Sequence, residues 1–144
     1  MRSLQKNRIA YTLALAAMAL VIGCGGDDDS DSNNADRYEG TEAEVAAVVD
    51  DFVQAGRDGD IAKICEEIFA EQLKSNIERA SQQSCQSEVE GNIPEDDFEL
   101  EINSLQLDGE NAATVNVTDH EDVDSTLHIE RVEGTWRIAA VTDG

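Results

Sequence analysis

The apolar pattern of this chain changes its period once, near Pro94. Before that point Val45, Val48, Val49, Phe52 and Val53 recur at helical spacing. Ile61, Ile64, Cys65, Ile68 and Phe69 repeat the pattern, and Leu73 and Ile77 extend it. After that point Phe98, Leu100 and Ile102 alternate with polar residues, as do Ala113, Val115 and Val117. Residues three and four apart share a helix face, whereas residues two apart share a strand face. Helices first and strands last define an α+β chain.

Local signals divide these stripes into elements. Thr41-Glu42-Ala43-Glu44 spells a capping box, in which hydroxyl and carboxylate each satisfy a free N–H at a helix start. Gly56 and Asp58-Gly59-Asp60 break the helix, and Asp60 is placed to cap a second helix running through Ile77. Ser81 to Gly91 is polar, with room for one short helix. In the strand half, Leu105 and Leu107 have the opposite parity to Ile102. That slip predicts a β-bulge at Asn103-Ser104, bending the strand. Asp108-Gly109 signals a hairpin. The acidic turn 119–124 and Glu133-Gly134 then separate strands around Val115, Leu127 with Ile129, and Trp136 with Ile138. The expected domain covers residues 41–144: N-terminal helices packed on a curved antiparallel sheet of about four strands.

The order of these elements resembles the nuclear transport factor 2-like superfamily, which includes SnoaL-like and ketosteroid-isomerase-like proteins. Two helices joined at Gly56 to Asp60, a long bent strand, the hairpin before ENAATVNV and the closing GTWRIAAV carry the resemblance across nearly all of residues 41–144. It implies a cone in which a curved sheet wraps a helix around a pocket, where the enzymes of the group do acid–base chemistry. Isomerase-type members pair a carboxylate base with an oxyanion hole of Tyr and a protonated acid. Here the one Tyr beyond residue 23 is Tyr38, ahead of the domain. Dehydratase-type members use a His with an acid. His128 lies between Leu127 and Ile129 and faces away if they face the core, while His120 sits beside Asp119 and Glu121 in a turn. Glu99 and Glu101 point outward by the same alternation. No catalytic residue is assigned, and Phe52, Phe69 and Trp136 are expected to fill the interior.

The leader sets the compartment. Residues 1–8 carry Arg2, Lys6 and Arg8 without an acid, and residues 9–23 are almost wholly apolar, the layout of an export signal. A membrane span needs about 20 apolar residues, so a retained single span is the weaker alternative for these fifteen. Val21-Ile22-Gly23-Cys24 resembles the bacterial lipobox. The resemblance implies a diacylglycerol on the Cys24 thiol, cleavage before Cys24 and a lipid anchor at the extracytoplasmic face of the cell membrane. A spare thiol or disulfide partner is the alternative for Cys24. Two or three acyl chains anchor stably where one binds only marginally. Residues 24–40 then form an acidic tether too poor in apolar residues to build a core. Its Asp run is not an EF-hand, which needs Gly at position six and Glu at twelve. Counting from Asp27 those positions hold Ser32 and Tyr38, and from Asp29 they hold Asn34 and Gly40.

Formal charge is −22. Without residues 1–23, seven basic residues face 32 acids, a charge of −25. Phosphate-rich partners are repelled, so nucleic acid is excluded as a partner. Export makes Cys65 and Cys85 an even pair in an oxidising compartment, read as a disulfide, with free buried thiols as the alternative. The loop of about twenty residues gives such a bond about 3 kcal/mol on the chain-entropy model. Zinc would need His120 or His128 as well and lacks close ligand spacing, so neither metal nor cofactor is assigned. Asn116-Val117-Thr118 fits a glycosylation sequon, but the lipobox resemblance implies a bacterial source, which makes that a chance match.

Two functions fit. One is a membrane-anchored, non-enzymatic binding or interaction module for a small molecule or an envelope protein. The other is an acid–base enzyme of isomerase or dehydratase type. The outward sheet face at Thr114, Asn116, Thr118 and His128 offers a surface for a second copy.

Overall fold

The structure is a computed structural model in which residues 33–93 and 97–144 are described. A short 3-10 turn at Asn34–Arg37 leads into α1 (Gly40–Arg57). Next come α2 (Ile61–Lys63), a π-helical turn (Ile64–Ile68), α3 (Glu71–Ser81) and α4 (Cys85–Asn92). Four strands complete the chain: β1 (Leu100–Leu107), β2 (Ala112–Asp119), β3 (Asp124–Val132) and β4 (Thr135–Asp143). They form one antiparallel sheet in the order β1-β2-β3-β4, the expected α+β arrangement.

The inner sheet face carries the alternation read in the sequence. Ile102, Val115, Val117, Leu127, Ile129 and Ile138 are all buried. They pack against Val45, Val49 and Phe52 of α1 in a single hydrophobic cluster. The bulge lies where parity slips: Ile102 pairs with Val117 and Ser104 with Asn116, leaving Asn103 extra. The extra residue returns Leu105 and Leu107 to the inner face, where both are half-buried against the core. A second irregularity carries no parity signal in the sequence. His128 pairs with Ala140 and Ile129 with Ile138, so Ala139 is the additional residue. Ala139 is small and buried.

The two-residue turn at Glu133-Gly134 has φ of 52° and 86°. Positive φ at both central positions is the turn whose twist matches that of paired strands. Gly134 adopts it without strain and Glu133 does not.

Four expectations are corrected. The second helix is not continuous from Ile61 to Ile77. Phe69 leaves the helix, forms an isolated parallel bridge with Ile138, and Ala70 N–H donates to the Ile138 carbonyl at 2.8 Å. The π-turn ahead of this break closes with Phe69 N–H bonded to the Ile64 carbonyl. Pairing with the exposed edge of β4 thus outweighs the helical period. Second, the capping box is not formed. Helix α1 begins at Gly40, its N-cap Glu39 makes no side-chain cap bond, and Thr41 lies inside the helix. Asp60, by contrast, caps α2 as expected, accepting from Lys63 N–H. Third, β1 begins at Leu100. Phe98 stands outside the strand and packs edge-on against Phe52 at 5.0 Å between ring centroids. Fourth, the last residues of the segment read as tether belong to the fold: Asn34 is buried and Ala35 and Tyr38 pack on the core.

Candidate functional site

The site is built from what covers the sheet. Where the sequence predicts a filled interior, Phe52, Phe69 and Trp136 are each less than a tenth exposed. Phe52 and Phe69 meet tilted at 5.5 Å between ring centroids, and Phe98 also packs edge-on against Phe52. Gly56 permits that approach. A Cβ there would meet Phe98 Cδ1 at 2.4 Å. The inner face of the sheet is therefore packed with side chains, and polar groups able to meet a ligand collect on the outside.

One such collection lies where the Asn34–Arg37 turn crosses the edge of β1. Asp50 of α1 accepts three hydrogen bonds there, each 2.9 Å long, from Asn34 N–H, Asn34 Nδ2 and Ala35 N–H. The Asn34 amide in turn donates to the Leu100 carbonyl at 3.0 Å and accepts from Ile102 N–H at 3.1 Å. Arg37 donates to Asn34 Oδ1 at 2.6 Å and to the Ile102 carbonyl at 3.3 Å. Two adjoining concavities flank this turn. One, of about 40 Å³, is lined by Asp50, Gln54, Arg57 and Leu100 among others. The other, of about 330 Å³, is lined by Asn34, Arg37, Glu99, Leu100 and Glu101. Arg57 Nε donates to the Phe98 carbonyl at 2.8 Å and fixes the approach to β1.

A second groove, of about 310 Å³, runs between α1 and the β3–β4 hairpin. Its walls include Val48, Asp51, Thr135 and Trp136. Glu44, assigned by the sequence to helix capping, instead accepts the Trp136 Nε1–H at 3.1 Å. The Arg131 guanidinium lies 5.6 Å from the Trp136 ring centroid and 3.7 Å from Glu44. Cation, ring and carboxylate form one cluster.

On the outer sheet face, neutral side chains of β1, β2 and β3 are joined in a hydrogen-bonded ladder. Asn116 donates to Ser104 Oγ at 2.8 Å and accepts from Thr126 Oγ1 at 2.8 Å. Thr118 donates to Asp124 and Thr114 to Asp108. His128 stands exposed on this face and His120 in the β2–β3 turn, as the sequence indicates. Glu99 and Glu101 are exposed as well.

The Cys65–Cys85 disulfide is present, joining the π-turn to the start of α4 across 20 residues, with Cα atoms 6.1 Å apart. Both cysteines are buried. Cys24 and the lipobox lie outside the described residues. Among the described residues no three His, Cys, Asp or Glu side chains are placed to hold a metal ion. No described helix is long and apolar enough to cross a membrane. Among the described residues the hydrogen bond to Glu66 raises the Lys74 ammonium above its usual value, aided by the charges of Glu66, Glu71 and Glu78.

Sequence reasoning missed Asn34, Arg37 and Asp50. A signal was present: Ala35 and Tyr38 are apolar residues one helical turn apart in the otherwise polar stretch 25–40. Compared with protein-family models, curated proteins and solved structures, the chain matches none.

Proposed function

We propose that this chain is a bacterial lipoprotein, anchored through Cys24 on the extracytoplasmic face of the membrane, whose domain is a non-enzymatic binding module. The observation that carries the binding reading is the packed inner face of the sheet, with Phe52, Phe69 and Trp136 buried where a pocket would open. Recognition then falls to the surface, to the groove beside Trp136 and the polar ladder around Asn116. The anchor reading is supported by the basic and apolar leader that ends at Val21-Ile22-Gly23-Cys24. The disulfide supports an oxidising compartment, since such bonds persist outside the cytosol. The helix-then-meander order and the bulge at Asn103 support kinship with the nuclear transport factor 2-like superfamily.

Two measurements test this reading. Cell fractionation should find the wild type with membranes and Cys24→Ser in the soluble exported fraction; an unchanged distribution contradicts the anchor. Xenon followed by NMR should leave the resonances of Phe52, Phe69 and Ile138 unmoved. Saturable shifts at those residues would reveal an interior cavity and contradict a surface module.

A further inference from the structure

The edge of β1 is closed by a side chain instead of a strand. Asn34 donates to the Leu100 carbonyl and accepts from Ile102 N–H, flanking Glu101 as one residue of a parallel neighbour strand would. Arg37 takes the Ile102 carbonyl. The outward-pointing N–H and C=O of Ile102 are therefore both engaged by the turn, and these are the groups through which an antiparallel strand would join. Unpaired edge groups are a template for another chain, and native folds cover them.

We propose that the Asn34–Arg37 turn is a releasable edge cap, and that the β1 edge running from Ile102 beneath it to Leu107 pairs with β1 of a second copy when the turn lifts. Two features favour a second copy. Ile102–Leu107 is six consecutive uncharged residues, in a chain with 32 acids. Two such edges lie side by side without carboxylates opposed along that length, and like charges directly opposite destabilise pairing. Six residues span about 20 Å, the length of an ordinary strand. Its other attachments, to Asp50 of α1 and through Ala35 and Tyr38 to the core, take no part in the β1–β2 pairing. Lifting it leaves the β1–β2 pairing intact.

The test uses the full chain in detergent solution, comparing wild type with Asn34→Leu, which keeps volume and removes the amide. Hydrogen exchange at Ile102 N–H should speed at least tenfold, and sedimentation equilibrium should give an association constant at least tenfold higher. Unchanged exchange at Ile102 overturns the cap. Faster exchange with unchanged association overturns the second copy as its partner. If Asn34→Leu fails to fold, Arg37→Gln is used. Its guanidinium side chain is 47% exposed, so no buried void results. Faster exchange at Ile102 with stronger association supports the proposal for this variant, and wild-type values in either readout contradict it.

Discussion

Asn34 and Asp50 form the join between the N-terminal segment and the helical layer. One carboxylate oxygen of Asp50 receives both the backbone N–H and the side-chain amide of Asn34, each at 2.9 Å. Through the same amide Asn34 reaches Leu100 and Ile102, so a half-buried acid on α1 positions the edge of the sheet.

Asp50→Ala leaves three donors without an acceptor, one of them on the buried Asn34 side chain. Hydrogen bonds to a charged group contribute about 1.5–3 kcal/mol each, and stranded donors re-solvate when near water. A loss of about 2–3 kcal/mol is expected in urea unfolding, with Asp50→Asn losing less because one acceptor oxygen remains. Equal stability of Asp50→Ala and wild type would contradict the bonding described.

Gly56→Ala sets two effects against each other. Alanine gains about 1 kcal/mol of helix propensity over glycine. The added Cβ meets the Phe98 ring at 2.4 Å and Ile93 Cγ2 at 3.2 Å, and overpacking costs about 1–3 kcal/mol. The clash is expected to win, giving a net loss and a weakened Phe52–Phe98 contact. A more stable variant with unchanged aromatic ring shifts in NMR would contradict this.

How much of this was legible depends on where a residue's partner lies. The inner faces of β2 and β3 were readable because alternation is local: Val115, Val117, Leu127 and Ile129 are buried where period two puts them. The bulge at Asn103 was readable from parity alone. The break at Phe69 was not, because its cause is Ile138, far along the chain, and nothing in the local stripe marks a bridge. Glu44 illustrates the same limit. A capping box at residues 41–44 is locally sound, yet Trp136 claims the carboxylate. Asn34 and Asp50 were obscured because polar residues report their partners only through geometry.

Removal of the disulfide releases a loop of 20 residues. The chain-entropy model assigns such a loop about 3 kcal/mol. Cys65→Ala with Cys85→Ala should lower unfolding stability by about that amount, with a further contribution from the voids left by buried sulfurs. Reduction of the wild type should reproduce most of the loss. Identical unfolding midpoints with and without reductant would contradict a structural role for the bond.

Lys74 titrates above its ordinary value of 10.5, chiefly through its hydrogen bond to Glu66 at 3.1 Å. A raised folded value means that the stabilisation is fully present below the unfolded value and is lost as pH climbs through the folded one. The Lys74 contribution is therefore present at neutral pH and is lost in alkali. NMR titration of the Lys74 side chain should give a midpoint above 10.5 that falls in Glu66→Gln. A midpoint indifferent to that substitution would remove Glu66 as the cause.

Mass spectrometry of the mature N-terminal peptide shows whether a lipid on Cys24 tethers this domain, as proposed above. A peptide that begins at Cys24 and carries diacylglycerol on its thiol is expected. An unmodified peptide running through Gly23 and Cys24 would contradict the anchor.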